Sequence, residues 1–455
     1  MSTINVENLI VQINRKIETA RNNKEILMLS RAVSVLQTGV VFTVGTFANL
    51  PDPTENVGKL YFVEADALLY FSFIVYNTST AQWIPITNVS ANVLWTWGSN
   101  NGNQLATGVS QSPGCRCSPG TIVGNDLKWI YIQVTDRSNE FGGTVGAIKS
   151  DGTLWTWGSN SCGQLGNGNN STRCSPGTVA GGGTWMDVDG GDCFSMGLKC
   201  DGTLWTWGSN LSGRLGDGTT VCKSSPGTVA GGGTTWCKIA AYTGIKTDGT
   251  IWTWGSGGGG QLGDGTTLTR CSPGTIWGSY TTWRTIGKFA STTKASIKTD
   301  GTLWTWGGNV RGQLGDGTVT NRCSPGTVAG GGTTWCDVAI SCHATMAIKT
   351  DGTLWTWGWN SCGALGDGTT VSRCSPGTVA GGGTTWCKIS LGSCNFAAIK
   401  TDGTIWTWGP NCFGALGSGD GTARCSPGTV AGGGTNWHQV SVGGAFMAAI
   451  TKETL

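Results

Sequence analysis

Charge is what this sequence has least of. Of 455 residues only 12% are Asp, Glu, Lys or Arg, the 29 basic and 26 acidic side chains leave a formal net charge of +3, and histidine occurs twice. So even a balance gives no electrostatic case for nucleic acid, or for an anionic membrane, as partner. No apolar run approaches the roughly eighteen residues of a membrane-spanning helix. Glu7, Glu18 and Glu25 interrupt the apolar positions of the first thirty residues, unlike a signal peptide. The expectation is a product made in the cytoplasm without a classical leader. Catalytic signatures are missing as well. There is no HExxH, phosphate-binding loop or GxSxG string. His343 and His438 stand apart, with no nucleophile and acid grouped around them, and read as loop or strand fillers. The turns at Asp217, Asp264, Asp316 and Asp367 lack the spaced ligands of a calcium loop. No CxxC pair occurs among the 18 cysteines, which argues against zinc. The chain is expected to hold no metal or cofactor and to do no catalysis.

What is abundant is glycine, 77 residues, and tryptophan, 24. Many turn formers together with the largest apolar side chain imply short strands around a real core. The string WTWG occurs seven times, beginning at Trp95, Trp155, Trp205, Trp252, Trp304, Trp355 and Trp406, with spacings of 60, 50, 47, 52, 51 and 51. A period near fifty marks a propeller, solenoid or array. One period holds four strand-like pieces, as in "TLWTWG", "SPGTVA", "TWCKISL" and "FAAIK" between 353 and 400. An Asp-Gly pair joins the fourth piece to the next copy's first, which reads as a type I′ hairpin. Seven units of four strands predict a mainly β fold, a closed seven-bladed β-propeller. Its sheets are covered on both faces, with Leu354 and Thr356 toward one neighbour and Trp355 and Trp357 toward the other.

The ends of the array point to ring closure. The first copy, "NVLWTWG", lacks a preceding strand, and the last runs on into "GGAFMAAITKE". Pairing Phe446, Ala448 and Ile450 beside Val93, Trp95 and Trp97 would hide both sheet edges. The propeller is therefore read as residues 91–455. Over this span "DGTLWTWGSN", "GQLGDGT" and "SPGTV" resemble the repeat of the regulator of chromosome condensation family. The resemblance implies the seven-bladed fold. It implies function less directly, because such propellers serve as exchange factors, chromatin binders, scaffolds and adhesins. The family's exchange factor uses a wedge hairpin; here the notable expansion is at 125–143, in the first copy.

Residues 1–38 differ in composition. Ile10, Ile13 and Ile17 form one apolar stripe, and Leu29, Val33 and Leu36 a second, predicting two short α-helices. They read either as packing on the next segment or as a docking and homo-oligomerising element. Residues 39–90 read as a small β module and linker. "GTFANLP", "GKLYFVEADALLYF" and "AQWIPI" resemble a module near the N-termini of bacteriophage fibre proteins. That resemblance implies attachment to other virion proteins through residues 1–90.

Three groups of side chains stand out inside the repeat. Cysteines follow arginine at 117, 174, 271, 323, 374 and 425, and follow tryptophan at 237, 336 and 387. Pairing within a unit, Cys323 with Cys336 or Cys374 with Cys387, fails elsewhere because Met186 and Arg284 replace the partner. Free, buried thiols used as small apolar fillers are expected. Arg116, Arg173, Lys223, Arg270, Arg322, Arg373 and Arg424 recur at one offset, either pairing with aspartates of the GDGT turns or forming a basic collar for an anionic glycan or viral partner. Departures from the repeat mark candidate anchors: Trp359 in "WTWGWN", and Trp277 with Tyr280 where other copies have "AGGG". The hairpin around "KIAAYTGIK" is also about four residues short.

Taken together these features lead to the expectation of a non-enzymatic bacteriophage structural protein, a fibre, spike or capsid decoration. It would be localised to the virion, anchored by its N-terminal region, and display the propeller for binding a host-surface glycan or receptor or for protection. The alternatives are a secreted lectin-like propeller and an intracellular scaffold or guanine-nucleotide exchange factor.

Overall fold

The computed structural model describes residues 91–453, apart from stretches at 111–113, 125–127, 135–142, 192, 279 and 289–291, and four strands before them within residues 42–87. The helices expected within 1–38, with Ile10, Ile13, Ile17, Leu29, Val33 and Leu36, lie outside the described residues. The chain divides into two compact units, one of residues 1–91 with 453–455 and one of residues 92–452. In the first, Phe42–Val44, Leu60–Val63, Leu68–Ile74 and Ala81–Thr87 form one sheet in sequence order, the first pair parallel and the others antiparallel. No helix among the described residues is long and apolar enough to cross a membrane.

The second unit consists of seven four-stranded sheets. Blade 2 runs Trp129–Val134, Thr144–Lys149, Leu154–Gly158 and Arg173–Thr178. Blades 3 to 7 repeat the plan, their first strands beginning at Trp185, Trp236, Trp283, Trp335 and Trp386. Blade 1 is composite. Trp437–Val442 and Phe446–Glu453 from the C-terminal end join Ala91–Ser99 and Cys115–Thr121 in a single sheet. Within it Trp95 Nε1 donates to Thr451 Oγ1 at 3.0 Å, and the Ser99 amide to the Ala445 carbonyl at 2.9 Å. The first strand of each blade is innermost. Across the junction of blades 1 and 2, Gln439 accepts from the Ile132 amide and donates to its carbonyl, and Ser441 accepts from the Val134 amide.

The two tryptophans of WTWG point to the preceding blade. Trp355 and Trp357 pack with Ala295, Ile297 and Leu303 of blade 5, whereas Leu354 packs with Trp386, Phe396 and Trp408 of blade 7. Each blade adds a third indole at the start of its inner strand, and the three meet edge to face. Trp335 lies 6.1 Å from both Trp355 and Trp357, a geometry the ring quadrupoles favour. The second WTWG indole is fully buried and donates to a carbonyl of the preceding blade's loop: Trp207 to Gln164 at 2.8 Å, Trp357 to Gln313 at 3.0 Å, Trp97 to Ala415 at 2.9 Å. In blades 2 to 7 the first is half-buried, bonded to the threonine two residues before it and covered by a lysine, as Trp155 is by Thr153 and by Lys149 at 3.7 Å.

Two expectations are corrected. The Asp-Gly hairpins are not type I′: Gly152 has φ +78°, but no aspartate among the described residues has positive φ. The Gly152 amide bonds to the Lys149 carbonyl, and the Lys149 amide to the Thr153 carbonyl. This is a three-residue turn with a glycine bulge. Asp151 accepts the amide and hydroxyl of Thr153 instead, as aspartate does in turns. The cysteines are all free, yet none is buried; each is exposed or half-exposed. Those of the outer strands sit against a glycine of the preceding blade's loop, Cys271 on Gly213 and Cys374 on Gly312, so they fill seams at the surface.

Candidate binding face

Successive strands of a blade run in opposite directions, so the turn between strands one and two shares an end with the long loop between strands three and four. At that end the loop of blade 5 and the inner turn of blade 6 enclose a cavity of about 380 Å³, with Gly259 of blade 4 and Thr292 of blade 5 completing the wall. Arg311, Gln313, Cys342 and His343 line it. Trp359 stands beside it, its ring 5.2 Å from that of His343 and 5.6 Å from the Arg311 guanidinium. The Trp359 amide donates to the His343 carbonyl at 2.8 Å. Burial, and after it the Arg311 charge, lowers the His343 pKa, so the imidazole is neutral at pH 7. Its Nδ1 is buried without a hydrogen-bond partner among the described residues.

The chemistry offered is a cation, an aromatic face, a neutral imidazole and glycine backbone. No carboxylate among the described residues lines the cavity. Among the described residues no group of three or more His, Cys, Asp or Glu is placed to hold a metal. Val310 lines the cavity, and the corresponding long loops of blades 3, 4, 6 and 7 expose apolar tips of their own; Leu211, Val221, Leu268, Val310, Val371 and Phe413 are 51–70% exposed. His343 was passed over as a filler in the sequence; its one signal there was that a second departure from the repeat, Trp359, lies sixteen residues on.

The other candidate anchors go elsewhere. Trp277 is 62% exposed, but it follows the fourth strand of blade 4, its amide donating to the Gly263 carbonyl of that blade's long loop at 2.7 Å, two blades away from Trp359. Tyr280 is 40% exposed. Lys298 Nζ lies 3.6 Å over its ring, and Trp283 and Trp304 pack against it. The ring of cations is not uniform either: Arg270, Arg322 and Arg373 pair with Asp264, Asp316 and Asp367, while Arg173 and Arg424 do not. The short hairpin of blade 4 turns through Ala241 and Tyr242, where Lys294 Nζ donates to the Ala241 carbonyl and Tyr242 stacks on Phe194. Beside it Lys288 of blade 5 reaches Asp187 of blade 3 at 2.8 Å, a link across the inner wall. Val93, Trp95 and Trp97 share the closing sheet with Phe446, Ala448 and Ile450. Phe446, Ala448 and Ile450 face Trp129 and Trp157 of blade 2.

A ring of seven four-stranded blades, closed by strands from both of its ends and bearing long loops on one face, is a β-propeller of the repeat type. Residues 141–449 match the RCC1-like domain, and the chain belongs to that family. It is 33% identical over 135 residues to the ultraviolet-B receptor UVR8 of Arabidopsis thaliana, covering 29% of this chain and 31% of that protein. To the protein RCC2 homolog of Danio rerio it is 34% identical over 124 residues, 27% of this chain and 25% of that one. The match thus spans about a third or less of these relatives. Yeast RCC1 (Prp20), solved bound to Kap60, superposes with a TM-score of 0.71 at 19% identity over 81% of this chain and 90% of its own. Human WBSCR16 superposes with a TM-score of 0.69 at 19% identity over 80% and 100%. These two show the fold.

Proposed function

We propose that this protein is a non-catalytic binding propeller that engages a protein partner through the loop face around Arg311, His343 and Trp359. The observation that carries this reading is the set of exposed apolar tips, Leu211, Val310 and Phe413 among them, on the face that also holds the cavity. Apolar side chains rimmed by polar loops are how partner surfaces present themselves. The names of similar proteins support a regulatory or scaffolding role. Yeast RCC1 is solved bound to Kap60, and Prp20p of Saccharomyces cerevisiae is described with binding to Gsp1p and histones. The test places a photo-crosslinking residue at Val310 or Leu211 on this face, and at Thr384 on the opposite one, in the full-length protein in its own host. Adducts with one protein from Val310 and Leu211 and none from Thr384 are expected. Even labelling from both ends, or none from the loop face, ends the proposal.

A second reading is favoured by the N-terminal segment alone, whose strings at 45–86 resemble phage fibre modules. On that reading residues 1–90 attach the propeller to a virion, as a homo-oligomer, and the loop face meets a host receptor or glycan. Recovery of the protein in purified particles would establish that reading. Accelerated nucleotide release from a small GTPase would instead establish an exchange factor.

A further inference from the structure

The outer strand of every blade opens on a cation, and blades 3 to 6 neutralise it alike. Lys223 lies 2.6 Å from Asp217, and Arg270, Arg322 and Arg373 lie 2.9, 3.2 and 2.6 Å from Asp264, Asp316 and Asp367. Each aspartate stands six residues upstream in the same blade's loop, with its side chain no more than 5% exposed. One carboxylate oxygen serves the threonine two residues on and the other meets the cation. At Asp217 burial alone would raise the pKa, but bonds from Lys223, Thr219 and Asn210 outweigh it and hold the pKa at about 2.

In blades 7, 1 and 2 the aspartate's place is taken by Ser418, Thr107 and Asn167. These blades are neighbours, because the composite blade 1 sits between the last and the second. Their arginines nevertheless keep the pose of the sister blades. Arg424, Arg116 and Arg173 donate from Nη1 to the carbonyl of the threonine five residues on, at 2.9, 3.2 and 3.2 Å. Arg270 and Arg322 make the same bond. Each guanidinium also lies flat over the glycine of its own strand, where a Cβ on Gly428, Gly120 or Gly177 would meet Nη1 at 2.2–2.5 Å. The edge that meets a carboxylate elsewhere is therefore presented in place. Among the described residues no carboxylate lies within ion-pair distance of these three. Asp420, the acid near Arg424, is bonded by Ser418 and Thr422 and feels the Arg424 charge from beyond ion-pair distance.

Exposed apolar residues accompany the two junctions of this sector. Phe413, 51% exposed, precedes Gly414, which packs on Cys117, the residue after Arg116. Val109, 61% exposed, follows Gly108, whose amide bonds to the carbonyl of Cys174, the residue after Arg173. Three guanidinium forks preset for carboxylates, interleaved with apolar side chains, suit a polypeptide. A uronate glycan or a nucleic-acid backbone has no aliphatic side chains to offer Phe413 and Val109, and a phosphate is not the group these slots hold in blades 3 to 6.

We propose that the rim of blades 7, 1 and 2 docks an acidic polypeptide segment, its Asp or Glu carboxylates taking at Arg424, Arg116 and Arg173 the place that loop aspartates fill in the other blades. Exposed pairs are individually weak, so the three sites act through one chain that spans them. The test uses the full-length protein and a fluorescent peptide of Asp and Glu interspersed with Leu and Val, followed by anisotropy. Its Asn/Gln counterpart, a uronate oligosaccharide and a single-stranded oligonucleotide serve as competitors. In one variant, Thr107→Asp with Asn167→Asp and Ser418→Asp, the slots are filled from within, as the sister blades fill theirs. In a second, Arg116→Gln with Arg173→Gln and Arg424→Gln, the forks are removed. Salt-sensitive binding to the parent, weakened at least about tenfold in both variants at unchanged melting temperature, is expected. The proposal is overturned by no binding up to about 1 mM peptide, by undiminished binding to the filled variant, or by equal competition from any of the three controls.

Discussion

The two tryptophans of each WTWG hold different posts two residues apart, and they carry different weights. Trp207 is fully buried and its indole N–H is spent on the Gln164 carbonyl of the preceding blade. Trp205 is half-buried, bonds Thr203 at 2.9 Å and lies under Lys199. Trp207→Phe leaves a cavity and removes one of the two bonds the Gln164 carbonyl accepts, the other coming from Ser195 Oγ at 2.9 Å, an expected loss of about 2–3 kcal/mol. Trp205→Phe is expected to cost about 1 kcal/mol, since water can replace its bond. Denaturant midpoints of the two variants decide this, and equal shifts would refute the assignment of roles. The histidines make a second prediction at this scale. Burial and then Arg311 lower the His343 pKa; the His438 residue is exposed on its strand, yet desolvation of its ring, with Lys388 and Lys452 behind it, lowers its pKa against a bond to the Ile450 carbonyl. With folded values below the unfolded value of about 6.5, the unfolded chain takes up more protons as acid is added. Their contribution to stability therefore falls as pH drops below about 6.5. Asp337, whose pKa burial raises, works the other way, so the comparison must be with a variant. Melting temperature should drop less between pH 7.5 and 5.5 in His343→Gln/His438→Gln than in the parent; identical drops would refute this.

At the scale of the element, the long loop between the third and fourth strands is a latch onto the next blade rather than a passive connection. Gly166 has φ +65°, and a Cβ there would meet Trp207 Nε1 at 2.7 Å; Gly182 has φ +52° with nothing within 4 Å. Both are left-handed, so alanine at either costs about 1–2 kcal/mol of backbone strain. Gly166→Ala adds overpacking of about 1–3 kcal/mol and should melt clearly below Gly182→Ala. The strands themselves were legible, because the period, the Asp-Gly pairs and the WTWG alternation all state the same plan. The latch was not: nothing in "GQLGDG" says that its glycines face the indole of a unit fifty residues on. Nor could composition show that the thiols lie at surface seams. Trp359 was visible as a departure from the repeat, but His343 gained meaning only when the blade 6 hairpin brought the two rings together. The rim cations were visible as a series of seven. What the sequence already carried, but only the shared geometry made telling, is the loss of the aspartate in three blades that closure makes adjacent.

For the whole molecule the decisive element is the composite blade, where the chain's last strand completes a sheet begun more than three hundred residues earlier. Phe446, Ala448 and Ile450 pack into the seam with blade 2, while Met447 and Ala449 pack into the seam with blade 7. One strand thus seals two interfaces. Burying side chains such as Phe446, Met447 and Ile450 contributes about 1.5–3 kcal/mol each, together comparable to the entire net stability of about 5–15 kcal/mol typical of a domain. A chain ending at Val442 would lose that burial and leave Ala91–Ser99 and Trp437–Val442 with open edges, prone to aggregation. It should show red-shifted tryptophan emission and an enlarged radius of gyration in solution scattering. A synthetic peptide of residues 443–455, added in excess, should restore the blue-shifted emission, because the packing of Phe446–Ile450 in the seams with blades 2 and 7 is non-covalent. A truncated protein that melts with the parent, with or without the peptide, would mean that the ring is held by its other five seams and that closure adds nothing to stability.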